Sequence, residues 1–307
     1  MNPDFEQKLL AMRPDKMRTI AVAGGEDVAA LRAVRRACDM GFARAILCGD
    51  VEQIRTVAKN NKINIADFEL LDVQGEAQTA AAAVSLVRDG RADILMKGLI
   101  HTADILRAAL NRETGIRGTS GLLSHVAVMY SPSRNRTLFL TDVAMVMYPD
   151  LDAKVKLIDN AVRVARAMGL NTPRVAPLCP VETLNSAMQS TVDAAALREK
   201  NINGEIPDCI VSGPIALDVA VSADAARAKM MAGPIMGNAN ILLFHDIDAG
   251  NNTVKAMMQF GDWIMGGLVM GARAPIVVNS RSDSDIGKMF SIACACKIGQ
   301  YTHNFSR

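Results

Sequence analysis

ADILMKGLIHTADILRAAL, residues Ala92 to Leu110, carries the pattern on which the reading of the fold turns. Ile94 to Met96 is a short apolar run bounded by Asp93 and by Lys97-Gly98, which predicts a strand buried on both faces. His101 and Thr102 sit in a short loop. From Thr102 the apolar residues recur at helical spacing to Leu110, with Arg107 on the second turn. Strand, loop and helix in that order make half of a βαβ unit. A lysine after a strand, a flexible glycine and a helix N-terminus can together hold an anion. A lysine solvated at a turn is the plainer alternative.

The same rhythm runs outward in both directions. Strands are predicted at Thr19 to Ala23, Arg44 to Cys48, Val126 to Met129, Thr137 to Leu140, Arg174 to Pro177, Cys209 to Ser212, Ile241 to Phe244 and Pro275 to Val278. Helices are predicted at Glu26 to Met40, Val51 to Asn60, Ala77 to Asp89, Leu151 to Met168, Ser186 to Glu199 and Ala249 to Met258. Strands separated by helices of this length predict an α/β fold with mainly parallel sheets covered on both faces, in three layers. Ligands of such sheets sit at the carboxyl ends of the strands. No repeat or linker divides the chain, and the turn-rich segment Asn111 to Gly121 is the best candidate for a crossing between domains.

Composition limits the function. At 307 residues, 50% hydrophobic and 21% charged, the chain can bury a large core, and its length favours two domains. A formal net charge of +2, with basic residues scattered among acidic ones, gives no support to nucleic-acid binding. The start, MNPDFEQKLLAMRPDKMRTIAV, does not read as a signal peptide. Apolar runs such as Trp263 to Ala272 are far shorter than the roughly 18 to 20 residues of a membrane span, so no membrane association is expected. Cys38, Cys48, Cys179, Cys209, Cys294 and Cys296 are dispersed, without metal-ligand spacing, which predicts reduced, mostly buried thiols and a cytoplasmic setting.

Three further strand ends carry polar groups. SGPIALDVAVS, Ser212 to Ser222, offers Asp218 after a Gly-Pro turn, either facing a ligand or serving as a cap or ion-pair partner. Asn238 to Met257 places Asp246, Asp248, Gly250 and Asn251 in a loop, where the two aspartates can ligate a metal or simply be solvated. APIVVNSRSDSDIGKMFSIACA, Ala274 to Ala295, is the richest. Ser280 and Arg281 end a strand, and Asp283, Ser284 and Asp285 open a predicted helix. Ser284 or Asp283 suits an N-cap, and an acid in the first turn complements the helix dipole. Neither role explains Ser280 and Arg281.

In these motifs the chain resembles the phosphate acetyltransferase and phosphate butyryltransferase family, the butyryltransferase branch more closely. The resemblance covers about Thr19 to Ile298. It rests on DILMKGLIHTADILRAAL, SHVAVM, LFLTDVAM with PDL following, SGPIALDVAVS, DAGN at Asp248 to Asn251 and SRSDSDIGKM at Ser280 to Met289. It implies a two-domain fold like that of isocitrate and isopropylmalate dehydrogenases, with an interdomain cleft. One domain would join residues 1–118 to 272–307, and the other would comprise 119–271. The implied reaction is acyl-CoA plus phosphate giving acyl phosphate plus coenzyme A, with coenzyme A as a substrate and no cofactor or metal.

In the acyl-CoA-forming direction a base must take the thiol proton. Asp285 matches the family aspartate and Asp283 competes with it. Ser280 matches the donor to the developing oxyanion. Arg281 supplies the bidentate fork for phosphate. Arg107 falls on an arginine associated with coenzyme A, and Lys97, Asp218 and Asn251 line the same site by inference. A homo-oligomer, a dimer or an assembly of dimers, is expected from the resemblance. The rivals are a metal-dependent dehydrogenase on the same fold, for which Gly24-Gly25 is too sparse a dinucleotide fingerprint, and a non-catalytic sensor of coenzyme A or acyl phosphate.

Overall fold

A computed structural model describes residues 3–119, 121–279 and 283–302. The chain divides into two units, Met1–Leu123 with Met265–Arg307, and Ser124–Ile264. The first unit opens with α1 (Pro3–Ala11), β1 (Arg18–Ala23), α2 (Val28–Asp39), β2 (Ala43–Gly49), α3 (Val51–Asn60), β3 (Glu69–Asp72), α4 (Glu76–Arg88), β4 (Ile94–Lys97) and α5 (Thr102–Ala109). The second unit holds β5 (Ser124–Ser131), β6 (Arg136–Thr141), α6 (Leu151–Ala167), β7 (Arg174–Pro177), α7 (Gln189–Ile202) and β8 (Ile210–Val211). It continues through α8 (Leu217–Val221), α9 (Ala223–Ala228), β9 (Ile241–Leu243) and α10 (Ile247–Phe260). The chain then re-enters the first unit along β10 (Ile264–Met270), β11 (Ile276–Val277) and α11 (Asp285–Thr302).

In the first unit the strand order is β3-β2-β1-β4-β11-β10, parallel throughout except that β10 runs against β11. Its middle strands are unbroken apolar runs because helices cover both faces. Ile20, Val22, Ile94 and Leu95 are all at most 1% exposed, and each such aliphatic side chain contributes about 1.5–3 kcal/mol by leaving water. Asp27 caps α2 by accepting from the Ala30 amide, and Asp50 caps α3 by accepting from the Gln53 amide. α2 turns Ala30, Leu31, Ala33, Val34 and Ala37 inward, a helical stripe, and packs against α11. In the second unit the order is β5-β6-β9-β7-β8, antiparallel only between β5 and β6. Asp142, after β6, is buried and accepts from the backbone amides of His125, Ala144 and Met145, fixing that turn. No helix among the described residues is long and apolar enough to cross a membrane.

Several elements differ from the sequence reading. β3 has the burial pattern of an edge strand, exposed at both acidic ends, so ELLD lacks the apolar run that marks its neighbours. The run read only as too short for a membrane span contains β10, and Gly266-Gly267 dilutes its strand signal; Gly266 is where Phe290 and Cys294 of α11 come closest. α1 went unread because only two core residues identify it, Phe5 and Leu9 at i, i+4, with Phe5 set edge-on against Phe290 at 5.4 Å. The α10 start also moves forward. Asp246 caps it, so Asp248, Gly250 and Asn251 lie in its first turns and not in a loop.

The turns after β1 and β4 touch backbone to backbone. The Gly98 amide donates to the Ala23 carbonyl at 2.8 Å and the Leu99 amide to the Gly24 carbonyl at 2.7 Å. A Cβ on Gly98 would stand 2.0 Å from the Gly24 carbonyl oxygen. Gly98→Ala is therefore expected to lower the unfolding free energy by at least the roughly 1–3 kcal/mol of an overpacked core. Gly213→Ala, whose Cβ would meet nothing closer than Arg198 at 3.5 Å, should change it by less than about 0.5 kcal/mol. Urea melts of the two variants check the difference.

Candidate active site

The strand order of the first unit makes a switch point between β1 and β4. From β1 the chain builds outward through β2 and β3 on one side, while β4 and β11 lie on the other. Loops leave such a point in opposite directions and open a crevice at the strand carboxyl ends. A cavity of about 160 Å³ lies there, lined by Asp27 and Ala30 from the start of α2, Lys97 and Gly98 after β4, Asn279 after β11 and Lys288 of α11.

Each lining group is held by its neighbours. Lys97 is half-buried and its Nζ donates to the Gly98 carbonyl at 3.2 Å. Asn279 donates through Nδ2 to Ser291 Oγ at 2.9 Å and to Asp283 Oδ2 at 3.3 Å. Lys288 is 6% exposed and its Nζ donates to the Asp283 carbonyl. Ser284 Oγ accepts from the Gly287 amide at 3.1 Å, so Ser284 is the N-cap of α11, and the Asp283 carboxylate is turned to Asn279 instead. Asp285 is exposed in the first turn of α11.

The other predicted residues stand apart. Ser280 and Arg281 lie outside the described residues. Arg107 is exposed on α5 and pairs with Asp104 of its own helix at 2.5 Å. In the second unit, Asp218 is exposed and pairs with Lys229 at 3.0 Å; Lys229 also reaches Glu182. The hydrogen bond from Lys229 holds the Asp218 carboxyl below the usual carboxylate range. Asn251 donates to the Val143 carbonyl at 2.9 Å, which ties α10 to the turn after β6. Asp246 is spent on its cap, and the described residues contain no group of three or more His, Cys, Asp or Glu side chains that could hold a metal ion. Burial pushes the thiols up, Cys38 to about 11 and Cys48 and Cys209 to about 12, so none of these is a ready nucleophile.

Sequence reasoning missed two buried lysines. Lys288 lies in α11 at the head of the mainly apolar stretch MFSIACAC, and Lys154 in α6. The helical period separates Lys154 from nearby Lys156, because Lys154, Leu157, Ile158 and Ala161 share the buried face. Lys154 Nζ is 2.5 Å from Asp193 Oδ2 and 3.0 Å from His245 Nδ1, at the carboxyl ends of β7 and β9. Gln189 donates to the other Asp193 oxygen. An ammonium has donors only, so Nδ1 is the acceptor and the neutral imidazole carries its proton on Nε2. The 3.9 Å approach of His245 to Asp193 is accordingly not an ion pair.

Residues 4–82 and 74–296 match the family model described as phosphate acetyl/butaryl transferase. The chain belongs to that family. It is an acyltransferase, and the dehydrogenase and sensor readings have no support. It is 43% identical to a phosphate butyryltransferase of Clostridium beijerinckii, over 97% of this chain and 98% of the relative. Among solved structures it resembles a branched-chain phosphotransacylase from Enterococcus faecalis, 34% identical, with a TM-score of 0.82 over 92% of this chain and 99% of that one. A 4-hydroxythreonine-4-phosphate dehydrogenase from Klebsiella pneumoniae is more distantly similar in structure, 13% identical, with a TM-score of 0.50 over 93% of this chain and 100% of that one.

Burial, followed by the Lys154 ammonium, holds the His245 pKa below the usual 6.5, against opposing pulls from Asp193 and Asp246. Below about pH 6.5 the unfolded chain of this phosphate acyltransferase therefore binds a proton that the folded chain refuses, and stability falls as pH falls. Urea midpoints should drop between pH 7.5 and 5.5, and His245→Gln should flatten part of that drop; an unchanged slope would clear the imidazole. Lys154→Met should cost about 3–5 kcal/mol at neutral pH, because Asp193 is left buried and unpaired.

Proposed function

We propose that the chain exchanges coenzyme A and phosphate on a short-chain acyl group, butyryl or acetyl, by direct attack within a ternary complex. The observation that carries this reading is the meeting at one cavity of Lys97 and Gly98 after β4, Asn279 after β11 and Lys288 of α11. A fold of the isocitrate and isopropylmalate dehydrogenase type is part of the proposal, supported by the likeness to the 4-hydroxythreonine-4-phosphate dehydrogenase. So is a homo-oligomeric state, on the family resemblance alone.

In the direction that forms acyl-CoA, Asp285 takes the thiol proton of coenzyme A and the thiolate attacks the carbonyl carbon of the acyl phosphate. The Ser280 hydroxyl donates to the oxygen on which charge develops. The carbon–oxygen bond to phosphate breaks, and Arg281 receives the phosphate with a two-pronged fork. Lys97 adds positive charge beside it, Arg107 takes an anionic group of coenzyme A, and Asp218 and Asn251 are further binding residues for coenzyme A or phosphate on the family resemblance alone. Asp285 is preferred to Asp283 as the base because its carboxylate is exposed, while that of Asp283 accepts a hydrogen bond from Asn279.

Thiol release from acetyl-, propionyl-, butyryl-, isobutyryl- and valeryl-CoA, with phosphate or arsenate, tests the proposal. Release should depend on the anion and peak at one chain length; no release from any of them would overturn it. Ser280→Ala should lower kcat about 10²-fold or more with little change in KM, the usual effect of losing one oxyanion donor. Arg281→Lys should raise the KM for phosphate. Asp285→Asn should abolish turnover while Asp283→Asn spares it, and the reverse result would exchange their roles.

A further inference from the structure

Lys288 is the most deeply buried charge at the switch-point cavity. It lies in the first turn and a half of α11, and helical side chains lean toward the N-terminus of their helix. Its ammonium is thereby carried back to the strand edge, where its stem is covered and the residue is 6% exposed. An ammonium has three donors. Among the described residues one of them goes to a backbone carbonyl, that of Asp283, and no carboxylate forms an ion pair with it. Burying an ammonium without a counter-charge is costly, and the remaining donors belong to a residue that lines a cavity.

Positive charge outweighs negative in the rest of the lining. Lys97 brings a second ammonium, and the first turn of α2 contributes Ala29 and Ala30 from the positive end of its helix. The lining carboxylate, Asp27, is already turned to the Ala30 amide as a cap. Size limits what fits. About 160 Å³ is well under the roughly 300–1,000 Å³ of pockets that enclose a drug-sized ligand, so the cavity suits one compact oxyanion and not a whole coenzyme.

We propose that Lys288, with Lys97, holds a phosphoryl oxyanion in this cavity. The inference rests on the acyl-transfer reading above, since that reaction brings such a group from two sources, inorganic phosphate (or the acyl phosphate) and the phosphates of coenzyme A. Lys288 is a binding residue on this view, placed to neutralise the anion while the acyl group changes hands.

The test uses the full chain with Lys288→Met, Lys288→Arg and Lys97→Met. In the thiol-release assay, Lys288→Met should raise one KM on the order of 10- to 100-fold, the usual range for a hydrogen bond to a charged group. Lys288→Arg should recover most of it. A rise confined to phosphate assigns the anion to inorganic phosphate, and a rise confined to acyl-CoA assigns it to the coenzyme; unchanged KM values for both in an active variant would overturn the proposal. Melting temperature against added inorganic phosphate, without acyl-CoA, gives a readout independent of turnover. If phosphate is the occupant, it should stabilise the unaltered chain and not Lys288→Met. An inactive unaltered chain that phosphate still stabilises would sink the acyl-transfer reading and leave the anion site standing. Should Lys288→Met fail to fold, Lys97→Met carries the same expectations at smaller amplitude.

Discussion

Two carbonyl–amide contacts across the ends of β1 and β4 hold the switch point of the first unit together. They bring the backbone of residues 23 and 24 against that of residues 98 and 99, and a single added methyl would destroy the approach. Much of the cavity lining hangs from the two turns so joined. One leads into α2 with its Asp27 cap, and the other leaves Lys97 at the mouth of the cavity. The glycine at 98 is thus required by space and not by an unusual dihedral, whereas Gly24, at φ +81°, is required by both.

The buried charges fall into two kinds. Lys154 is matched by Asp193 at 2.5 Å, and the pair is backed by Gln189 and a neutral histidine, so its ammonium is balanced inside the protein. Lys288 has a carbonyl partner and a cavity instead. Desolvation is paid in both cases, but in the first the folded chain supplies the compensating charge. That difference is what separates a structural lysine from one disposed to meet a ligand.

Much of this was legible in the order of residues. Ile94 to Met96 and Thr19 to Ala23 are short, mainly apolar strands between helices, and both occur within a residue or two of where the pattern puts them. Edges and ends were not legible, because the period fails there: ELLD shows its acids to water, Gly266-Gly267 interrupts an apolar run, and Phe5 and Leu9 are too few to announce α1. At the site, the strand-end rule pointed to Lys97 and to the segment after β11. It overlooked Lys288 because a lysine in a helix reads as solvated until the face it occupies is known. It also left the cap of α11 undecided between two residues, which the hydrogen bond from Gly287 to Ser284 resolves. Ser280 and Arg281 rest on the family resemblance alone.

The contact between Phe5 and Phe290 has a bearing on the chain as a polymer. It stitches α1 to α11, so the segments before and after the second unit belong to one packed unit while the second unit is a single uninterrupted insertion between them. The present order, with α11 arriving last, means that during synthesis β1, β2 and β4 are made long before the strand and helix that complete their cavity.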